Sequence, residues 1–150
     1  MEGAVGKSIF RAILGASAIC LGFFSTLSNA QTANPGTCEI YRDFDYKGAS
    51  GTVVGNQQKG DAVIFTDQAN APADLVGFLA NKVGYRVFYD KSWSNSLSSV
   101  KVAAGCTVEL HGSLKMQQGS VMPFKSYSSD TPRFSAADND KAQMVICRCK

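Results

Sequence analysis

The densest concentration of chemistry in this chain is Ser94-Asn95-Ser96-Leu97-Ser98-Ser99, six residues of which five carry a side-chain oxygen. Such a run has two uses. It can hydrogen-bond its own backbone as a set of tight turns, or it can offer hard oxygen ligands to a cation. A second polar loop, Asn139-Asp140-Lys141-Ala142, lies near the other end.

The remaining candidates for chemistry are sparse. His111 is the only histidine; it has a reading as a general base, but no nucleophile motif accompanies it, and a structural place on a strand is expected. Asp43 and Asp45 could pass for a carboxylate pair, though their position in a turn favours simple solvation. Tyr85, Phe88, Tyr89 and Trp93 could form a platform for stacking sugars, yet alternation sends some of them inward. The chain has no phosphate-cradling glycine loop and no metal-protease helix. No constellation of acid, base and nucleophile can be named, so an enzyme is not expected.

The elements that position these groups read as short strands. Tyr85, Val87 and Tyr89 alternate with Arg86, Phe88 and Asp90 before the first polar loop, and Val100 and Val102 flank Lys101 after it. That is the period-two pattern of half-buried strands. Further strands are expected at Cys38 to Tyr41, Thr52 to Val54, Ala62 to Thr66, Cys106 to Leu110, Ser120 to Phe124 and Met144 to Arg148. Ala69 to Asn81 is the least β-like part, with a short helical turn expected around Pro72, Asp74 and Leu75. Lys125 to Asp138 reads as a long Ser/Asp-rich connection. Many short strands with Gly and Ser between them argue for an all-β sandwich, in two imperfect copies about seventy residues apart.

Residues 1–30 have the layout of a secretory signal. Lys7 and Arg11 precede the apolar run Ala12 to Phe24, which ends in Ser28-Asn29-Ala30. The run is too short and too interrupted for a membrane span. The domain expected to follow is 31–150. It keeps 13 basic and 11 acidic side chains, a formal charge of +2. The basic residues are scattered singly, which argues against nucleic acid, and no membrane association is expected after cleavage.

Cys38, Cys106, Cys147 and Cys149 make an even set, as in proteins of oxidising compartments. A one-residue gap between Cys147 and Cys149 suits zinc poorly. Two disulfides are expected instead. Cys147 and Cys149 share one face of a strand, so one would reach Cys38 and the other Cys106; spacing does not say which.

Tyr41-Arg42-Asp43-Phe44-Asp45-Tyr46-Lys47-Gly48 has an aromatic, four residues, an aromatic, one residue and a glycine. With the polar loop Ser94 to Ser99, this resembles the βγ-crystallin family. In that pattern the hairpin folds over so that Tyr41 and Tyr46 pack, and the glycine supplies a positive φ. The second unit departs from it: His111 and Met116 stand at the aromatic positions and Gln118 at the glycine. The resemblance implies a double Greek-key β-sandwich as a single domain. It also implies that the two polar loops lie together and share calcium. Carried over position by position, the ligands would be Asn95, the Ser96 carbonyl and Ser98, with Asp140, the Lys141 carbonyl and Gln143. Only Asp140 among these is charged, so binding is expected to be weak.

The expected protein is therefore an exported, non-enzymatic, monomeric βγ-crystallin-like domain, secreted or periplasmic, sealed by disulfides and supported by calcium. The alternative is a secreted inhibitor or toxin-like binder of a protease or a cell-wall polysaccharide, with the connection around Pro132 and Phe134 as its contact loop.

Overall fold

The first strand sets the pattern. In β1 (Thr37–Asp43), Cys38 and Ile40 are buried while their neighbours are at most half-buried, so one face of the strand is committed to a core. A tight turn, Phe44–Tyr46, returns the chain as β2 (Lys47–Val54), antiparallel to β1. Asp45 and Tyr46 both lie at positive φ there, and so does Gly48 (φ 73°). A Cβ at Gly48 would fall 2.5 Å from Asp43 Oδ2, so the position admits glycine for space as well as backbone. This computed structural model describes residues 33–56, 60–117 and 119–150. The expected signal over 1–30 and the loop residues 57–59 lie outside them.

The chain continues as β3 (Asp61–Ile64), a helix α1 (Ala73–Gly77) that widens into a π-helical turn over Phe78–Val83, β4 (Arg86–Tyr89) and β5 (Ser99–Val102). Then come β6 (Cys106–His111), β7 (Lys125–Tyr127) and β8 (Met144–Cys149). Two sheets result, one of three strands in the order β2-β1-β5 and one of five in the order β4-β3-β8-β6-β7. The all-β double Greek key follows from how the units trade strands. β1, β2 and β5 lie in one sheet, but β3 crosses to pair antiparallel with β8 of the other. The second unit reciprocates: β6, β7 and β8 share a sheet, while Thr131 crosses back to bridge Val100 of β5.

The main core fills the space between the sheets. Ile40, Val53, Val100 and Val102 from one side meet Val108, Leu110, Val145 and Cys147 from the other. Two disulfides run through it. Cys38–Cys147 joins β1 to β8 and hence one sheet to the other, and Cys106–Cys149 joins register partners on β6 and β8. The expectation that the two C-terminal cysteines reach different partners holds, and the structure supplies the connectivity. Gly55 sits over both bridges; a Cβ there would lie 2.5 Å from Cys147 Sγ and 2.6 Å from Cys149 Sγ.

Two strand expectations shift. Ser120 to Phe124 is not a strand apart from a single bridge between Gln117 and Ser120; the partner of β6 is β7, inside the segment read as a connection. The reason is burial. Val121 only half-covers, and Met122 and Phe124 are exposed, so this stretch has no alternating inner face. The expected helical turn is longer, running on through Val83, and it carries its own core. Leu75 and Leu79 are buried with Ala62, Ile64, Tyr85, Met144 and Ile146 in a second core, on the outer face of the five-stranded sheet. The insertion also carries the extra strand β4, which lies parallel to β3 at the sheet edge.

Candidate functional site

The polar loop after β4 is built by local hydrogen bonding. Asp90 Oδ1 accepts from the backbone N–H of Ser92 (3.0 Å) and from its hydroxyl (2.6 Å), closing the turn Lys91–Trp93. Trp93 then buries against Phe65, their ring centroids 6.3 Å apart. Ser99 is spent on structure: its hydroxyl donates to the Asp43 carbonyl (2.6 Å) and accepts from the Tyr46 N–H (3.2 Å). Part of the loop thus follows the self-bonded reading.

The rest of the loop opens onto a cleft. The Ser98 N–H donates to the Tyr41 carbonyl (2.9 Å), the Phe134 N–H to the Ser98 carbonyl (2.9 Å), and the Asp140 N–H to the Leu97 carbonyl (3.2 Å). These bonds hold four segments around one depression of about 700 Å³. Its walls include Asp43, Asp45, Asn95, Ser96, Ser98, Asn139 and Asp140, with Arg42 and Arg133. Asn95 and Asp140, equivalent positions of the two loops, both adopt positive φ (50° and 56°). Asparagine and aspartate tolerate that region better than most residues.

Four of the six residues expected to face a cation therefore share one cleft: Asn95, Ser96, Ser98 and Asp140. Lys141 and Gln143 are not among its walls. Gln143 lies in backbone ladders instead, its N–H donating to His111 and its carbonyl accepting from Phe65. Asp43 and Asp45, read from the sequence as solvated turn residues, belong to the cleft. Carboxylates in a hairpin look like simple solvated groups until the opposite loop is placed beside them.

The donor set is chemically suited to calcium, a hard cation that takes six to eight oxygens. Three carboxylates, two amides and two serines line the cleft. Asn139 Nδ2 donates to Asp140 Oδ2 (2.7 Å), while Asn139 Oδ1 is buried with no hydrogen-bond partner. An orphaned oxygen of this kind is costly unless something engages it.

Tyr41 and Tyr46 pack edge to face, centroids 5.7 Å apart, as the hairpin pattern requires. Lys101 Nζ lies 4.9 Å from the Tyr46 ring centre. Burial raises the pKa of both phenols; Tyr41 is raised further by its hydrogen bond to Glu39, Tyr46 by the charge of Asp130. Strands that trade sheets between two units, the paired tyrosines, and polar loops brought together across the units define one fold. It is an all-β double Greek-key sandwich.

The chain is similar to a βγ-crystallin domain from Clostridium beijerinckii, with 20% identity, 75% of this chain and 97% of that one covered, and a TM-score of 0.44. A βγ-crystallin domain from Flavobacterium johnsoniae gives 17%, 75%, 94% and 0.46. The N-terminal domain of Protein S gives 12%, 75%, 96% and 0.44. No protein-family model matches the sequence, and no curated protein matches it significantly.

The other sequence candidates are dispersed. His111 is 1% exposed, its Nε2 3.7 Å from Glu109 Oε2, and neither ring nitrogen has a hydrogen-bond partner. That is a structural place on β6. Tyr85 and Trp93 are buried, so the four aromatics do not form one platform. Phe134 is also buried, stacked on Tyr127 with centroids 4.8 Å apart, and cannot serve as a displayed contact.

Proposed function

We propose that this chain is an exported, non-enzymatic, monomeric domain over 31–150, secreted or periplasmic after loss of a signal over 1–30, whose cleft binds calcium weakly for stability. The observation that carries this reading is the meeting of Asn95 and Ser98 with Asn139 and Asp140 in one oxygen-lined cleft, where Asn139 Oδ1 is buried and unpaired. Two disulfides support an oxidising compartment. Among the described residues, no helix is long and apolar enough to cross a membrane.

Calcium that binds only the folded state raises its stability by linkage. With a Kd on the order of 1 mM, as in extracellular modules, 10 mM calcium adds about 1.4 kcal/mol. For a domain of this size that is a Tm rise of roughly 5 °C. Differential scanning calorimetry in calcium and in chelator tests it; superimposed transitions would remove calcium from the function.

A second reading, a secreted binder of a protease or cell-wall polymer, draws support from one feature. Strand β4 extends the five-stranded sheet beyond its three-stranded partner, leaving Phe88 46% exposed beside a groove shared with Thr52, Tyr89 and Trp93. Co-sedimentation with insoluble cell-wall polymer, lost in Phe88→Ser, would favour it. Failure to sediment would set the polymer aside.

A further inference from the structure

We propose that Arg133 is a built-in counter-ion of the cleft, whose guanidinium neutralises Asp45 until a divalent cation takes that carboxylate. This inference rests on the calcium reading above. Arg133 Nη2 lies 3.6 Å from Asp45 Oδ2, and its guanidinium carbon lies 4.5 Å from the centre of the Phe44 ring. Both partners are wall residues of the cleft, as is Phe44.

The placement of this cation is built into the backbone. The Asp45 N–H donates to the Pro132 carbonyl at 2.6 Å, fixing the hairpin against the segment that carries Arg133. Thr131 is held in turn by its bridge to Val100. Phe44 then provides an aromatic shelf on which an arginine stacks favourably. Arg42, the other cation of the cleft, is committed elsewhere: its Nη2 donates to the Ser92 carbonyl (2.7 Å) and it lies over Trp93.

The pair is made to be broken. Arg133 and Asp45 side chains are 64% and 55% exposed, and ion pairs that wet contribute little to stability. A divalent cation arriving among Asp43, Asp45 and Asp140 can displace the guanidinium from Asp45 and leave it stacked on Phe44. Calcium affinity follows the number of carboxylates free to meet the ion, so the arginine holds the affinity down. Removing its charge should tighten calcium binding about threefold, the size of an exposed ion pair.

The experiment is calorimetric titration of calcium chloride into the disulfide-intact mature chain, comparing wild type with Arg133→Gln, Arg133→Lys, Asp45→Asn and the Asp45→Asn/Arg133→Gln double variant. Thermal unfolding in chelator checks that each variant is folded. Tightening of about threefold in Arg133→Gln, near-wild-type binding in Arg133→Lys, and a much smaller gain when Asp45 is already asparagine support the proposal. Equal calcium affinity in wild type and Arg133→Gln overturns it while leaving the calcium reading intact. No binding in any variant overturns both.

Discussion

The backbone N–H of Asp140 donates to the carbonyl of Leu97 at 3.2 Å, joining two polar loops more than forty residues apart in the sequence. Around this bond the oxygens of both units converge. Asp140 holds its place at positive φ, which constrains how its role can be probed. Asparagine tolerates that backbone and keeps the side-chain shape. In Asp140→Asn, calcium affinity should fall about tenfold or more through loss of one carboxylate, with the chelator-state Tm changed little. Calcium titration of the two proteins measures the difference.

Gly55 tests the packing over the disulfides. A methyl group there meets two sulfurs at 2.5 and 2.6 Å as well as the Cys147 carbonyl carbon at 3.1 Å. These atoms are covalently bridged and cannot rotate away. Gly55→Ala should destabilise the domain by about 1–3 kcal/mol, read as a lower urea midpoint at an unchanged slope.

The two disulfides should contribute unequally. Cys38–Cys147 spans 109 residues and ties the sheets together; Cys106–Cys149 spans 43 within one sheet. Chain entropy assigns about 4.7 kcal/mol to the first and about 4 kcal/mol to the second. Paired serine replacements of each bridge, compared by urea unfolding, should show the larger loss for Cys38/Cys147. The reverse order would mean that native packing around β6 and β8 outweighs the loop term.

Glu109 makes stability depend on acid. Burial raises its pKa, but the Arg148 hydrogen bond and charge, with His111 close by, outweigh burial and leave it below its ordinary 4.5. A carboxyl depressed in the folded state adds stability that is complete above its unfolded pKa and disappears as pH falls through the folded one. Arg148 Nε donates to Glu109 Oε1 at 2.7 Å. In Arg148→Gln the folded pKa should rise toward the unfolded value, so less stability is lost on acidification than in the wild type. Urea midpoints followed from about pH 6 to about pH 2 measure that loss for each protein.

Phe134 separates a buried anchor from a displayed contact. It is 3% exposed and its N–H donates to Ser98. Phe134→Ala should cost about 3–5 kcal/mol, whereas Phe88→Ala at the exposed edge of β4 should cost far less. Thermal unfolding of the two variants makes the comparison.

Local signals were enough for much of this protein. Period-two alternation marked β4 and β5, because a strand alternates its faces whatever it packs against. The hairpin of Tyr41 to Gly48 was legible because positive φ and close approach to Asp43 exclude most residues at Gly48. The even cysteine set and the shared face of Cys147 and Cys149 pointed to two bridges. What stayed hidden depended on which surfaces meet. Lys125–Tyr127 pairs with β6 although its residues are largely exposed, since an edge strand needs only backbone hydrogen bonds. The insertion around Leu75 and Leu79 found its core on the outside of a sheet, where no alternation rule looks. The partners of Cys147 and Cys149, and the gathering of Asp43, Asp45, Asn139 and Asp140 around one cleft, were settled by strands that cross between sheets. A sequence specifies the conformation each segment prefers; distances between segments far apart along it exist only once the whole chain has closed.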